Sequence, residues 1–465
     1  MLTRFGEKST QLFEKYMPNA FVFALALTPV TGLIAFFWMN VSPLKIIESW
    51  YAGFWSLLEF GMQIVLIIIT GFAIALSPII KKAIDRLTQY INTPKQVYFF
   101  VVFIGCALSL ISFGWVVITC VLARELALRV QGVNYPFLIA CVYFSVGSWV
   151  TGLSSSIPLL LGTADNYLIE AGVLSALIPT TLTLGSWLNI AMLILYLAFA
   201  PLMIVFLSPK TKNFRQLPDM LETLNSVKST SIEEEALSLN LSYSSVSDRL
   251  NNGFLLQAIV VIMGLSYICF HFYTKGFNLN FNIMIFIFLI FGMALHKTPM
   301  RYVIAMKRSC TNISGIIYQY PFYAGIMGIM LFTGLGEKLA GVLASVTTID
   351  NYAFFAYLTG ALINFAIPSA GGEFAVVGPS IIDAVIEIGK DLPPAEITNM
   401  VSRASMAIAY GESTTNLLQP FYLLLVFPIM AANIKIQARD VMGYLVLPFI
   451  VFFIVQSIMV TYIPM

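Results

Sequence analysis

Residues 361–373, Ala-Leu-Ile-Asn-Phe-Ala-Ile-Pro-Ser-Ala-Gly-Gly-Glu, put a proline, a serine, two glycines and a carboxylate where an apolar pattern ought to continue. Hydrocarbon offers freed backbone groups no hydrogen bonds, so a break of this kind inside a bilayer survives only where protein or a water-filled cavity satisfies it. The segment is therefore a candidate binding site. A bilayer setting follows from the rest of the chain. Of 465 residues, 59% are hydrophobic and 10% charged, whereas a soluble domain carries about a quarter charged.

The sequence reads as an all-α polytopic membrane protein in contact with lipid. Its net charge of +2, carried by scattered basic residues, gives no footprint for nucleic acid. Cys106, Cys120, Cys141, Cys269 and Cys310 are odd in number and lie mostly in apolar runs, so they read as small core hydrophobes. His271 and His296 have no ligand spacing. No metal site, disulfide framework or organic cofactor is expected.

Arg4, Glu7, Lys8, Glu14 and Lys15 precede an apolar run over 20–39, long enough to cross about 30 Å of hydrocarbon. No small-residue cleavage site follows, so this run is expected to stay as the first span. Further apolar runs cover 54–79, 136–162, 187–208, 253–273, 280–296, 313–334, 401–432 (with a break) and 441–463. Segments 97–122 and 352–389 contain Ser-Phe-Gly-Trp at 112–115 and Ile-Pro-Ser-Ala-Gly-Gly at 367–372, each either a kink or the tip of a re-entrant hairpin.

Lysine and arginine decide between these options, because short cytoplasmic loops are enriched in both. With two re-entrant hairpins and a cytoplasmic N-terminus, 20 of the 25 basic residues fall inside; only Lys45, Lys275, Lys338, Lys390 and Arg403 fall outside. Full crossing by 97–122 would instead put the basic 210–249 loop outside. The two-hairpin topology gives residues 1–208, with hairpin 97–122, the opposite orientation to residues 253–465, with hairpin 352–389. Inverted repeats with broken helices and a midplane site between them are the architecture of many secondary transporters. The polar stretch 209–252, with Glu233-Glu234-Glu235 and few large apolar residues, reads as a cytoplasmic linker. No phosphate-cradling Gly-x-x-x-x-Gly-Lys-Ser/Thr loop is present, so direct coupling to ATP is not expected.

Several segments carry a more specific resemblance: Phe60-Gly61-Met62-Gln63, Tyr135-Pro136, His296-Lys297-Thr298-Pro299-Met300, Pro321-Phe322-Tyr323-Ala324-Gly325, Leu362-Ile363-Asn364-Phe365 through Gly372, and Met406 through Tyr410-Gly411-Glu412. In this order, over nearly the whole chain, they closely resemble the bacterial short-chain fatty acid transporters, including permeases of the acetoacetate and butyrate type. The resemblance implies the ion transporter superfamily, an elevator motion, a homodimer, the bacterial inner membrane, and sodium or a proton as coupling ion. The chain departs from the family at Glu373-Phe374, where His-Trp is expected, at Val150 to Ser156, where a glycine-rich run is expected, and at Glu59 and Ser112. A pocket that has lost a histidine and gained carboxylates leaves other solutes open: a dicarboxylate, an amino acid or a peptide. A channel is a further alternative, since re-entrant hairpins also build selectivity filters.

A carboxylate carrier needs donors for substrate oxygens, and backbone N–H groups at broken-helix N-termini supply them with a favourable dipole. Gly371 and Gly372 permit close backbone approach. The expected substrate-binding set comprises these with Gln63, Ser112, Ser154, Ser155, Ser156, Gln319, Asn364, Pro368, Ser369, Glu373, Ser413, Thr414 and Asn416; the plainer role for the small and hydroxylated members is helix packing. Glu412 and Glu373 are the candidate coupling groups. Burial disfavours the charged form of a carboxylate, so Glu412 could carry a proton; ionised, it could help hold sodium; its bland role is to satisfy broken backbone. Glu59 and Gln63, one helical turn apart, form either a site wall or an interhelical clamp. Arg403 is expected to be a snorkelling anchor.

In a background without native cysteines, Ser229→Cys should react with an impermeant maleimide only from the cytoplasm and Thr348→Cys only from outside. Labelling of both from one face would rule out the two-hairpin topology.

Overall fold

The computed structural model describes residues 20–465 apart from 57, 112, 163–165, 171, 210–214, 222–230, 241–244, 277–280, 311–313, 366 and 369. The charged N-terminal segment before Ala20 thus lies outside the described residues. The described residues are helical throughout, with no strand beyond an isolated bridge between Leu221 and Ile434. Five helical stretches among them are long and apolar enough to cross a membrane: Pro94–Ile111, Tyr135–Leu161, Trp187–Leu207, Val246–Lys275 and Arg439–Tyr462. Protein encloses most of Tyr135–Leu161, whereas Val246–Lys275 is largely open. The open helix therefore suits a lipid-facing position.

Both ambiguous segments fold as helix, break, helix. The first runs Pro94–Ile111, then a 3₁₀ turn at Phe113–Trp115, then Val116–Arg129. The second runs Tyr352–Ile363, then an irregular stretch, then Ala370–Ile388. In each, the two arms touch. The run expected over 136–162 is not one helix. It is Tyr135–Val146, a 3₁₀ turn at Gly147–Thr151, an extended Gly152 and a short helix Ser156–Leu161. The 401–432 run breaks in the same way: Pro394–Thr415, a 3₁₀ turn at Asn416–Leu418, an extended Gln419, then Leu423–Met430. Glycine and β-branched or hydroxylated residues around 147–156 weaken helix continuation there. The apolar character of the flanks hides that break from a hydropathy reading.

Packing partners recur between the halves. The first arm Pro94–Ile111 lies on Tyr135–Val146 and Ala200–Leu207, and the arm Tyr352–Ile363 lies on Pro394–Thr415 and Val446–Tyr462. The second arm Val116–Arg129 meets Leu423–Met430, while Ala370–Ile388 meets Ser156–Leu161. These elements share one large buried core. Around it stand Ala20–Met39, Pro43–Ser56, Leu58–Ala75, Phe281–His296 and Ser314–Phe332; Pro43–Ser56 packs closely on Ser314–Phe332.

The linker is not wholly without packing. Leu217 is buried in the main core, and Ala236, in the short helix Ile232–Ser238, is buried as well. Glu233 and Glu235 of that helix pair with Arg301 and Arg308. The expectation of core cysteines holds for Cys106, Cys120 and Cys141 only; Cys269 and Cys310 are exposed. Residues in apolar runs of a membrane helix can face lipid as readily as protein, so composition alone does not separate the two.

Close helix approach is set by glycine at the crossing of Tyr352–Ile363 with Pro394–Thr415. A Cβ at Gly411 would sit 2.0 Å from the Tyr357 carbonyl oxygen, and one at Gly360 2.3 Å from that of Ile408. Neither backbone can yield cheaply. Gly360→Ala or Gly411→Ala should therefore lower the thermal unfolding midpoint in detergent, at a cost of about 1–3 kcal/mol. Gly341→Ala, where an added Cβ meets nothing within 4 Å, should leave the midpoint unchanged; equal effects at all three would refute this account.

Candidate binding site

The four breaks converge, and hydrogen bonds stitch each hairpin to a broken helix. At the first, Leu153 N–H donates to the Leu110 carbonyl at 2.8 Å and Phe113 N–H donates to Ser154 Oγ at 3.0 Å. At the second, Gln419 Nε2 donates to the Asn364 carbonyl at 3.0 Å. Trp149 Nε1 donates to Tyr422 Oη at 2.9 Å, joining the two broken helices, and the Phe113 ring meets both aromatics edge-on. Tyr143 Oη donates to the Asn416 carbonyl at 2.8 Å. Each hairpin tip is thus closed by the broken helix of its own half, and the Asn416 carbonyl finds Tyr143 in the other, as an apolar surrounding requires.

Into this junction the fold places two buried carboxylates. Glu412, in the last turn of Pro394–Thr415, is 1% exposed; Asn416 Nδ2 donates to its Oε1 at 2.7 Å, while Oε2 has no partner among the described residues. Glu373, in the first turn of Ala370–Ile388, is fully buried, with neither oxygen partnered among the described residues. The two lie close enough for their charges to interact. Among the described residues, both side-chain polar atoms of buried Asn364, Oε1 of buried Gln419 and Oγ of Ser156 are also without partners. So many unmatched polar atoms in one interior region are costly unless something polar binds there.

The expected residues sort accordingly. Ser156, Asn364, Glu373, Glu412 and Asn416 reach this region, and Gly371 faces Ser156, whose Oγ would lie 3.9 Å from an added Cβ. Pro368 is buried in the non-helical stretch before Ala370, and Gly372 lies within the first turn of the helix. Ser155, also buried, precedes the short helix Ser156–Leu161 without capping it through its side chain. Ser154 serves the hairpin tip. Ser413 Oγ donates to the Gly147 carbonyl at 2.9 Å, and Thr414 Oγ1 bonds the Tyr410 carbonyl and Gln456, so both hydroxyls are engaged in helix contacts. Ser112 and Ser369 lie outside the described residues, as do the side chains of Glu59, Gln63 and Gln319. The helices bearing Gln63 and Gln319, Leu58–Ala75 and Ser314–Phe332, do flank the first hairpin tip and the second hairpin arm respectively.

Arg403, expected to be a snorkelling anchor, reaches the end of a helix. Its guanidinium donates to the Ile463 carbonyl just past the end of Val446–Tyr462, where a cation meets the negative end of the helix dipole. Sequence reasoning missed Gln419, Tyr143 and Tyr422. Gln419 sits in a segment, Leu417 to Phe421, that reads simply as apolar continuation, where only the Gln-Pro pair at 419–420 signals otherwise; Tyr143 and Tyr422 lie in apolar runs on either side of the junction.

Comparison with known proteins adds to this geometry. The sequence profile of the short chain fatty acid transporter family matches residues 1–463. A relative from Escherichia coli (strain K12), provisionally named a short-chain fatty acid transporter, is 34% identical over 447 residues, covering 96% of each chain. One of the same provisional name from Haemophilus influenzae is 32% identical over 449 residues, again 96% of each. Among solved structures, the YdaH transporter of Alcanivorax borkumensis is similar at 15% identity, with 97% of each chain covered and a TM-score of 0.46. MtrF of Neisseria gonorrhoeae, described with a class of antimetabolite efflux pumps, gives 16% identity, 98% and 96% coverage and a TM-score of 0.42. These two likenesses are too weak to argue from.

Gly371 borders the junction with room beside it, unlike Gly411. Gly371→Val should therefore yield monodisperse protein with a wild-type melting profile and lose transport in reconstituted vesicles, by at least about tenfold if one close backbone contact worth roughly 1.4 kcal/mol is blocked. Wild-type transport would return the glycine to a packing role.

Proposed function

Because this chain belongs to the short-chain fatty acid transporter family, we propose that it couples movement of a short-chain carboxylate, such as butyrate or acetoacetate, to a proton or sodium ion. The carboxylate crosses the bacterial cytoplasmic membrane by this route. Membership points to transport rather than to enzymatic chemistry. The observation that carries the coupling is the pair Glu373 and Glu412, buried and largely unpartnered beside the ends of broken helices. An anionic substrate entering that region faces two groups of its own sign, and like charges at close range in a poorly screened interior repel by several kcal/mol. Binding therefore needs compensation. A proton on a carboxyl or a sodium ion held by Glu412 with neighbouring oxygens supplies it, and that requirement makes uptake ion-dependent.

On this reading the chain is a multi-pass protein with its N-terminus in the cytoplasm. Residues 1–208 and 253–465 are inversely oriented repeats, joined by the cytoplasmic linker 209–252. The hairpins are re-entrant, and the body built from hairpins and broken helices moves as a unit between two faces, in a homodimer. Support comes from the repeated order of helix, 3₁₀ turn, extended residue and helix at Tyr135–Leu161 and Pro394–Met430, and from the recurring packing partners. The N-terminus of Ala370–Ile388, with Gly371 and Gly372, is the best-placed set of backbone donors for a substrate carboxylate.

A thermal-shift screen against C2 to C6 carboxylates, 3-oxo acids, dicarboxylates and amino acids, with and without sodium, identifies the solute, since ligands of the folded state raise its apparent stability. Glu412→Gln keeps shape and removes the charge. If Glu412 carries the proton, uptake driven by a pH gradient should fall at least about tenfold, equal to about 1.4 kcal/mol, while substrate counterflow persists. If it ligates sodium, sodium dependence and counterflow should weaken together. Normal uptake in every format would make Glu412 structural.

A further inference from the structure

We propose that Gln419 is a positioning residue that couples the second hairpin to Glu412, and so ties substrate occupancy to the coupling ion. The inference rests on the ion-coupled reading above. It starts from one unbroken line of hydrogen bonds. Gln419 Nε2 donates both to the carbonyl of Asn364, immediately past the C-terminus of the arm Tyr352–Ile363, and to Asn416 Oδ1 at 2.8 Å. Asn416 Nδ2 in turn donates to Glu412 Oε1 at 2.7 Å and to Tyr422 Oη at 3.0 Å.

The geometry makes this line directional. An amide presents its acceptor and its donors at opposite ends. Because Gln419 supplies a donor to Asn416 Oδ1, the Asn416 NH₂ group is turned toward Glu412. Rotation of the Asn416 amide would place an oxygen against the carboxylate and leave Gln419 facing an NH₂ group; both contacts would become repulsive. Gln419 therefore fixes the orientation of the one group that hydrogen-bonds Glu412. Its own position depends on the Asn364 peptide, which lies in the hairpin break. All three residues are buried to within 1% of complete exclusion from solvent, so no bulk water replaces a lost bond.

The hairpin end of the line is built to respond to a ligand. Asn364 has both side-chain polar atoms unpartnered, and Gln419 keeps Oε1 free. A solute that binds these groups pulls on the same peptide that holds Gln419. Displacement of the Asn364 carbonyl removes one of the two bonds that hold Gln419 Nε2, loosens the Asn416 amide and weakens its hold on Glu412 Oε1. By linkage the effect is reciprocal: a change of charge at Glu412 must alter the stability of the hairpin break. Nothing else in the described residues joins that carboxylate to the hairpin by hydrogen bonds.

Gln419→Met keeps the volume and removes both donated bonds. In proteoliposomes it should lower gradient-driven accumulation by about tenfold, within the usual range of coupling between two sites, while counterflow falls by much less and ion leak without substrate increases. A merely structural glutamine would lower both transport formats in parallel. Wild-type vesicles with no ion dependence would refute the coupled reading itself; coupled wild type with equally coupled Gln419→Met would refute only the role of Gln419. Should the methionine variant fail to give monodisperse protein, hydrogen–deuterium exchange decides with Glu412→Gln. Amides of residues 364–373 should exchange differently in Glu412→Gln than in wild type, and unchanged exchange would overturn the proposal.

Discussion

The structure depends on one constraint: a main chain broken in a dry interior must find its hydrogen-bond partners within the protein. A helix satisfies itself, but each of the four breaks releases N–H and carbonyl groups that cost several kcal/mol apiece if left bare in hydrocarbon. The solution is reciprocal. The first broken helix supplies Ser154 and Leu153 to the tip of the first hairpin, and the second supplies Gln419 to the second. Trp149, Tyr143 and Tyr422 then bind the two broken helices to each other. Each half closes its own hairpin in this way, and the aromatic contacts join the two halves at the junction.

That constraint also explains where the charged groups are. Glu412 and Glu373 lie one turn or less from helix ends, the only interior places where polar groups of the backbone are already gathered. Glu373 benefits from the N-terminus of Ala370–Ile388, whereas Glu412, at the C-terminal end of its helix, meets the unfavourable pole and relies on Asn416. The two carboxylates thus have unlike environments within reach of each other's charge. In a pair of that kind, an ionised carboxylate disfavours ionisation of the other, so the two do not readily carry charge together.

Much of this was legible in the sequence because the bilayer simplifies the reading. Apolar runs and the Pro-Ser-Ala-Gly-Gly break sufficed to place the segment expected over 352–389 almost at its observed limits, Tyr352 to Ile388, whereas the one expected over 97–122 extends further, from Pro94 to Arg129. The break after Tyr135–Val146 was not visible, because Val150, Leu153 and Ile157 keep the stretch apolar while Gly147, Gly152 and three serines undo the helix. The tyrosines were missed for a related reason: a single polar atom on a large apolar side chain leaves hydropathy almost unchanged, and its partner lies in the other half of the chain; Gln419 is a lone amide among leucines and phenylalanine, and its partner Asn364 is 55 residues away in sequence. Ser413 and Thr414 show the converse. Hydroxyls beside a conspicuous carboxylate look like ligands, and here each also donates to a carbonyl, one turn back or on a neighbouring helix, as hydroxyls in helices readily do.

Glycine contacts indicate which parts can move. The first arm of each hairpin is locked to its broken helix: a Cβ at Gly105 would lie 2.2 Å from Ser145 Oγ, and Gly360 and Gly411 abut the backbone of the facing helix. A separate lock holds the periphery, where a Cβ at Gly53 would lie 2.6 Å from the Cα of Gly328. Such contacts resist sliding, because every residue-scale displacement brings a side chain against backbone. A hairpin that opened by swinging its first arm would have to break them. Motion that leaves both sets intact must therefore either shift one locked body past the other or bend the chain at the hairpin break, between Asn364 and Ala370. Displacement of one locked body past the other would leave the hydrogen bonds between each hairpin and its broken helix intact, whereas bending at the break would strain the bond that Gln419 makes to the Asn364 carbonyl.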